Sequence, residues 1–302
     1  MQHTLARPVS CQGVGVHGGV PARLTFRPAA ADTGIVFVRL DANPFVARIP
    51  AHVDAVTTTQ LGTTISNAAG TSVATVEHAL AALVAMGIDN VLVEIDGPEV
   101  PILDGSSDPF VEMIMTAGIR SQGLPRRVIE ILAPVEVVAG NKLARLEPHD
   151  AAHTGAGLRM DVTIDFASRA IGRQHVAFDL SPDVFADEVG GARTFGFLHQ
   201  VEQLKAMGLA RGGSMDNAVV IDGDAILNEE GLRFADEFVR HKALDAVGDL
   251  ALAGAPIRGR YVAEQPGHEL NVALVRALLA QPDAWRWTVV DVDTPLMAAA
   301  GV

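Results

Sequence analysis

Apolar and polar residues alternate through much of the chain and predict a series of short strands. Ala22 to Phe26 and Met160 to Phe166 alternate with a period of two, which is typical of strands with one buried face. Asn90 to Ile95 is a compact apolar run that predicts a buried strand. Because several predicted strands precede each long helical pattern, the chain is expected to have an α+β fold.

Helices are predicted where apolar residues recur every three or four positions. Thr75 is expected to cap a helix that runs from Val76 to Met86 and ends at Gly87. Further helices are predicted at 108–117, 182–188, 201–207 and 237–250.

One arrangement occurs twice along the chain: a long helix with a histidine near its start leads into a strand. His78 belongs to the first of these helices and His241 to the second. Gly123 to Arg127 predicts a linker between the two halves. We therefore expect two pseudo-duplicated α+β domains, residues 1–124 and 125–302, whose long helices meet at the domain interface.

The helix at 237–250 carries His241, Asp245 and Asp249 on one face. These donors suit a divalent metal, although a solvated polar face with an i, i+4 charge pair would have the same spacing. His78 on the other helix is the candidate third ligand. Three protein ligands leave a fourth position for water, as in catalytic Zn²⁺ sites, and Fe²⁺ suits the same donors.

Two carboxylates near these candidate ligands, Glu77 and Asp249, could take part in catalysis. Glu77 precedes His78, so it can lie near a metal-bound water without ligating the metal, which is the position of a general base. Asp249 could accept the far imidazole proton of a nearby histidine. The simpler interpretations are a favourable first-turn charge for Glu77 and a solvated carboxylate for Asp249.

Composition narrows the class of protein. The chain has 302 residues, 49% hydrophobic, and a formal net charge of −13, which argues against binding to nucleic acid or to an anionic membrane surface. Its one cysteine, Cys11, allows no intrachain disulfide and fits a reducing compartment. No signal peptide and no integral membrane segment are expected, so we predict a cytoplasmic protein, and we expect a monomer.

Six segments form a specific combination of motifs. In chain order they are TVEHAL (75–80), PILDGS (101–106), ARTFGF (192–197), NEEGLRF (228–234), DEFVRHK (236–242) and DAVGDL (245–250). In this order the chain resembles, over nearly its whole length, the UDP-3-O-acyl-N-acetylglucosamine deacetylase family of zinc amidases in lipid A biosynthesis. The resemblance implies two α+β domains with the helices sandwiched between two sheets. It also implies two inserts, one that includes residues 61–64 and one near 197–220.

The resemblance implies hydrolysis of the 2-acetamido group of the acylated UDP-N-acetylglucosamine substrate. The implied roles are His78, His241 and Asp245 as zinc ligands, Glu77 as general base, Thr194 as oxyanion donor, His268 as the group that assists the departing amine, Lys242 as a substrate contact and Asp249 as support for the catalytic histidine. Whether His268 or protonated Glu77 donates to the amine stays open.

The remaining substrate contacts are also implied by the resemblance. The candidates for a hydrophobic passage that takes the acyl chain are Leu61, Phe195, Leu198, Val201, Ala210, Met215 and Val220. Asp165 or Phe166 is the candidate uracil contact. Gln265 stands where some relatives carry a basic residue, which leaves Lys242 and Lys142 to bind the diphosphate.

Two alternatives remain at the level of sequence. One is a nucleotide-sugar-binding module without turnover, and the other is a different zinc amidohydrolase. A base deaminase is excluded because its Pro-Cys-x-x-Cys segment needs two cysteines, and the His-Glu-x-x-His signature of thermolysin-type peptidases is missing.

Overall fold

The computed structural model describes residues 1–149 and 157–290 and has an α+β fold. The helices are α1 (Glu77–Ala85), α2 (Asp108–Ala117), α3 (Pro182–Val184), α4 (Leu198–Ala206), α5 (Glu237–Leu250) and α6 (His268–Leu279). The strands of the first half are β1 (His3–Leu5), β2 (Val9–Val14), β3 (Pro21–Pro28), β4 (Ile35–Arg39), β5 (Arg48–Pro50), β6 (Val56–Thr58), β7 (Thr64–Ser66), β8 (Ser72–Val73), β9 (Val91–Ile95) and β10 (Ile119–Ser121). Those of the second half are β11 (Arg126–Ile131), β12 (Val135–Ala139), β13 (Lys142–Glu147), β14 (Leu158–Asp165), β15 (Arg173–Asp179), β16 (Phe195–Phe197), β17 (Val219–Asp222), β18 (Ala225–Ile226), β19 (Ile257–Glu264) and β20 (Trp285–Val290).

The two halves are built on the same strand plan. In the first sheet the order is β2-β3-β9-β4-β5, with β4 and β9 parallel and the other neighbours antiparallel. In the second sheet β12, β13, β19, β14 and β15 follow in the same order, with β14 and β19 parallel and the other neighbours antiparallel. Strands β11 and β20 extend the second sheet. The predicted pseudo-duplication is therefore present, whereas the boundary between residues 124 and 125 stays a prediction.

The long helices form a layer between the two sheets. Helix α2 packs on the first sheet and α5 and α6 pack on the second, while α1 and α5 pack against each other. Nearly every side chain of α1 is buried, which is typical of a helix surrounded by protein on all sides. This central pair carries His78 and His241, so the fold brings the two histidines to the interface of the two halves.

Each half carries a small three-stranded sheet in addition to its main sheet. Strands β6, β7 and β8 form the first and include the Thr-rich segment that was expected in an insert. Strands β16, β17 and β18 form the second, and α4 lies between β16 and β17 in the chain. Within residues 1–149 and 157–290, no helix is long and apolar enough to cross a membrane.

Some boundaries differ from those expected. Thr75 does not cap α1, because it has a φ of 57° and its hydroxyl donates to Glu99 instead. The short helix expected at 182–188 is one helical turn that continues into a π-helical turn, Phe185–Val189. Helix α4 begins at Leu198, three residues before the expected start. The loop expected at 150–157 lies, apart from Gly157, outside the described residues.

Candidate active site

The three expected metal ligands lie together between the central helices. One ligand atom from each of His78, His241 and Asp245 falls within 4.8 Å of the others, and all three residues are buried. The Nε2 atoms of His241 and His78 lie 3.3 Å and 3.6 Å from Asp245 Oδ1. The two imidazole rings stand perpendicular, with centroids 5.1 Å apart. The three side chains therefore converge on one point.

The protonation of these side chains suits a cation. His241 Nδ1 donates to the carbonyl of Ala192 at 3.0 Å, so the lone pair of its Nε2 faces the other ligands. Burial lowers the pKa of His241 to about 4, which keeps the ring neutral. Burial opposes the charge of Asp245, but His241, Lys242 and His268 outweigh it and hold the pKa of this carboxyl well below its usual range.

An orphaned oxygen shows that the donor set fits a metal. Asp245 Oδ1 is buried and accepts no hydrogen bond from the part of the chain that the structure describes. Its second oxygen, Oδ2, accepts from Lys242 Nζ at 2.8 Å. A buried carboxylate oxygen without a donor is costly, and the two imidazoles beside it complete the ligand set of a divalent cation.

A second polar cluster borders the ligands. His268 Nδ1 donates to Asp249 Oδ2 at 2.9 Å, and His268 Nε2 lies 3.7 Å from Glu77 Oε1. Burial disfavours the imidazolium, but Asp249, Glu77 and Asp245 outweigh it and raise the pKa of His268 to about 10. Burial also raises the pKa of Glu77. The carboxyl group of Glu77 and a protonated imidazole thus face each other at the edge of the candidate metal site.

Sequence reasoning did not identify the residues that hold this second cluster. Thr63 Oγ1 donates to Asp249 Oδ1 at 2.6 Å, and Asn271 Nδ2 donates to Asp249 Oδ2 at 2.9 Å. Asn271 in turn accepts from the hydroxyl of Tyr261 at 2.6 Å. Thr63 also donates its backbone N–H to Glu77 Oε2 at 3.0 Å. Helical spacing around Leu270 could have located Asn271, but no local signal marks Thr63.

Thr194 and Lys242 are the two remaining candidates for contacts with the reacting group. The main chain of Thr194 is fixed by its N–H donating to Gly105 and its carbonyl accepting from Val219, both at 2.8 Å. The oxyanion role of its hydroxyl stays a prediction. Lys242 Nζ lies 5.5 Å from the ring centroid of Phe195, so this aromatic ring borders the lysine that binds Asp245.

A buried ion pair fixes the segment that contains Thr194. Arg193 Nε donates to Glu237 Oε1 at 2.9 Å, and the backbone N–H of Arg193 donates to the same oxygen at 3.0 Å. Glu237 begins α5 and is fully buried. The pair therefore ties residues 192–194 to the helix that carries two of the ligands. Neither residue was expected at the site.

The candidates for the acyl passage lie on or beside the second insert, apart from Leu61 in the first. Leu198 and Val201 lie on α4 and are partly buried, Ala210 and Val220 are buried, and Met215 is exposed. The two inserts meet the same loop, because His17 Nε2 contacts the carbonyl of Leu61 at 3.2 Å and Arg211 N donates to the carbonyl of His17 at 3.2 Å. The loop around His17 therefore links the two inserts that carry these candidates, and a passage stays a prediction.

The candidate nucleotide contacts lie near the end of β19. Gln265 Nε2 donates to the carbonyl of Asp165 at 3.3 Å, and Gln265 Oε1 accepts from Asn141, the neighbour of Lys142. Phe166 contacts the ring of Phe195 edge to face, with centroids 5.8 Å apart. Asp165 and Lys142 are both exposed. Phe166 therefore connects this region to the residues around Lys242, while binding of uracil or diphosphate stays untested.

Two imidazoles and a carboxylate that converge on one point, with a further carboxylate beside them, place the protein among the metal-dependent hydrolases. The family model for UDP-3-O-acyl N-acetylglycosamine deacetylase matches residues 2–280. The chain belongs to this family.

Curated relatives support the same assignment. The chain is 58% identical over 285 residues to a protein of Phenylobacterium zucineum (strain HLK1), covering 94% of this chain and 95% of the relative. It is 52% identical to a protein of Anaeromyxobacter sp. (strain Fw109-5), covering 94% of this chain and 90% of the relative. It is 49% identical to a protein of Vibrio parahaemolyticus serotype O3:K6, covering 95% and 92%. All three relatives are named UDP-3-O-acyl-N-acetylglucosamine deacetylase.

Proposed function

We propose that this protein hydrolyses the N-acetyl group of UDP-3-O-acyl-N-acetylglucosamine and releases acetate, as a step of lipid A biosynthesis. Membership of the deacetylase family over residues 2–280 supports the substrate class. The observation that carries the proposal is the position of Glu77. This residue directly precedes the proposed ligand His78 in the chain, and its Oε1 lies 3.7 Å from Nε2 of His268. A module that only bound the nucleotide sugar would have no use for a base at this point.

The proposed metal is Zn²⁺, held by His78, His241 and Asp245. Two neutral imidazoles and one carboxylate form the donor set of catalytic zinc sites, and Fe²⁺ suits the same atoms. When bound, the cation would polarise the amide carbonyl and lower the pKa of a water molecule to about 7.

The side chains of this protein would handle the protons. Glu77 takes a proton from the attacking water, and burial prepares it for this role by raising the pKa of its carboxyl. The oxygen of water bonds to the acetyl carbon, the carbon–nitrogen bond breaks, and the amine leaves with a proton. Glu77 can return the proton it has taken, and His268 can donate its own. Thr194 is proposed to hydrogen-bond the oxyanion that forms between these steps.

Substrate binding would use residues on both sides of the ligands. Lys242 is proposed to contact the diphosphate or the reacting carbonyl, with Phe195 packed beside it. The other proposed contacts are Leu61, Leu198, Val201, Ala210, Met215 and Val220 for the acyl chain, Asp165 or Phe166 for uracil, and Lys142 for the diphosphate. A cytoplasmic location and a monomeric state are likewise proposals, and sedimentation of the purified protein tests the second.

The decisive experiment compares the wild type with Glu77→Gln. Both are expected to contain one equivalent of metal and to bind the acylated UDP-sugar, and only the wild type is expected to release acetate. Glu112→Gln is the matched control, because Glu112 is an exposed residue of α2, and it should behave as wild type. Equal binding by both proteins with no acetate from either would instead indicate a nucleotide-sugar-binding module.

A further inference from the structure

The two groups proposed to move protons come from different halves of the protein. These groups are Glu77 and His268. Glu77 lies on α1 of the first half, whereas His268 is hydrogen-bonded to Asp249 on α5 of the second half. Proton transfer depends on their separation, because a displacement of about 1 Å in a reacting group can cost on the order of a hundredfold in rate. A residue that touches both would fix that separation.

We propose that Thr63 is this positioning residue, an inference that rests on the proposed function. Thr63 is fully buried in the loop between β6 and β7. Its N–H donates to Glu77 Oε2 at 3.0 Å, and its hydroxyl donates to Asp249 Oδ1 at 2.6 Å. Its carbonyl accepts from Val76 N at 3.2 Å, so the start of α1 is held as well.

The contacts of Thr63 belong to a closed ring of side chains that also includes Asp249, His268 and Glu77. From Thr63 the ring passes to Asp249, then to His268 Nδ1 at 2.9 Å, and from His268 Nε2 to Glu77 Oε1 at 3.7 Å. The remaining hydrogen bond, from Thr63 N to Glu77 Oε2, closes it. The segment of the ring between His268 and Glu77 is the one without a hydrogen bond, and there the substrate amide would have to react.

The Thr63 hydroxyl has a specific task in this ring. Asp249 Oδ2 already accepts from His268 and Asn271, whereas Oδ1 accepts from Thr63. Without that hydroxyl, Oδ1 is left buried and unpaired, and the carboxylate gains freedom to rotate. His268 then loses its fixed direction toward Glu77. A residue that merely filled space would instead be replaced without loss by valine, which has nearly the same shape.

The test compares Thr63→Val with Thr63→Ser. We expect Thr63→Val to lower kcat for acetate release by about ten- to a hundredfold, the equivalent of one hydrogen bond to a charged group, with KM and metal content unchanged. Thr63→Ser keeps the hydroxyl and should retain most of the wild-type kcat. Thr57→Val is the matched control, because Thr57 is an exposed threonine of β6 in the same insert. If Thr63→Val does not fold, Thr63→Ala replaces it in the same comparison.

A double-mutant cycle separates positioning from structural support. If Thr63 acts through Asp249, Thr63→Val should change kcat little when Asp249→Asn is already present. A full additional loss in that background would overturn the inference, and so would wild-type kcat in Thr63→Val or equal damage in Thr63→Ser. Absence of acetate release from the wild type would overturn the proposed function itself, and this inference with it.

Discussion

The main-chain carbonyl of Glu77 lies directly against Gly248. A Cβ atom built on Gly248 would fall 2.1 Å from this oxygen, which is far inside contact distance. Helices α1 and α5 thus touch through their main chains at the level of the site. This contact sets how closely His78 approaches Asp245, so a glycine without any chemical role helps to define the ligand geometry.

The first prediction concerns this contact. Gly248→Ala should separate the two helices, lowering the free energy of unfolding by roughly 1–3 kcal/mol, as overpacking does, and weakening metal binding. Thermal unfolding and metal titration of the purified variant check both effects. Gly267→Ala is the control, because Gly267 precedes His268 but has no other atom within 4 Å of a built Cβ. Wild-type metal affinity in Gly248→Ala would contradict the prediction.

The local parts of the fold could be predicted from sequence, and the contacts between distant segments could not. Helices α2 and α5 have the predicted bounds, because their apolar stripes and end residues are local signals. The repeated helix with a histidine correctly predicted that His78 would lie beside His241 and Asp245, and its role as a ligand stays a prediction. The prediction that Thr75 caps α1 was wrong because its hydroxyl donates to Glu99, which lies 24 positions further along the chain.

Helix α6 and Thr63 show two different reasons for a missed feature. Helix α6 carries Leu270, Leu274 and Val275 at helical spacing, so this helix could have been predicted from the sequence. The link from Thr63 to Asp249 spans 186 positions in the chain, and nothing in a Thr-rich loop distinguishes one hydroxyl from its neighbours. Such a link becomes visible only when the two halves are packed together.

A second prediction follows from the ion pair at the start of α5. Glu237→Ala leaves the Arg193 guanidinium buried without its carboxylate, which should cost about 3–5 kcal/mol of unfolding free energy. It should also weaken metal binding, because Ala192 precedes Arg193 and its carbonyl orients His241. Urea unfolding and metal titration check these effects.

Glu230→Ala is the control for that experiment. Glu230 also contacts Arg193, since its Oε1 lies 2.6 Å from Arg193 Nη1, but the side chain of Glu230 is 58% exposed. Water replaces such a partner readily, so the loss should be much smaller than for Glu237→Ala. Equal losses in the two variants would show that burial of Glu237 does not determine the strength of the pair.

The third prediction concerns the pH dependence of the metal-free protein. Despite burial, Asp249, Glu77 and Asp245 raise the pKa of His268 from 6.5 to about 10 in the folded protein. Between these two values the folded protein binds the extra proton and the unfolded chain does not, so stability falls as pH rises. This single group contributes a slope of at most about 1.4 kcal/mol per pH unit.

Urea unfolding of metal-stripped protein across this pH range measures the slope. His268→Gln removes the titrating group and should lose less stability than the wild type as the pH rises. Groups that do not interact with His268, such as the Cys11 thiol, whose pKa burial raises to about 11, contribute equally to both proteins and cancel in the difference. Identical pH dependence in the two proteins would show that His268 is not held protonated.

The buried carboxylate of Glu99 holds the loop that contacts both inserts. Glu99 accepts from the N–H groups of His17 and Gly18, each at 2.8 Å, and from the hydroxyl of Thr75 at 3.1 Å. Through His17 this loop contacts Leu61 of the first insert and Arg211 of the second. Glu99 should therefore hold together the walls of the proposed acyl passage without touching substrate.

Glu99→Gln tests that role, because the amide nitrogen turns one acceptor into a donor that faces a backbone N–H. We expect the loop to loosen and KM for a substrate with a long acyl chain to rise by about tenfold, with a smaller rise for a short-chain analogue, because each methylene buried in the passage contributes roughly 0.8 kcal/mol. Glu94→Gln is the control, since Glu94 of β9 pairs with Arg27, whose side chain is 49% exposed. Equal increases in KM for both chain lengths would contradict the prediction, because they would show that Glu99 does not act through the acyl passage.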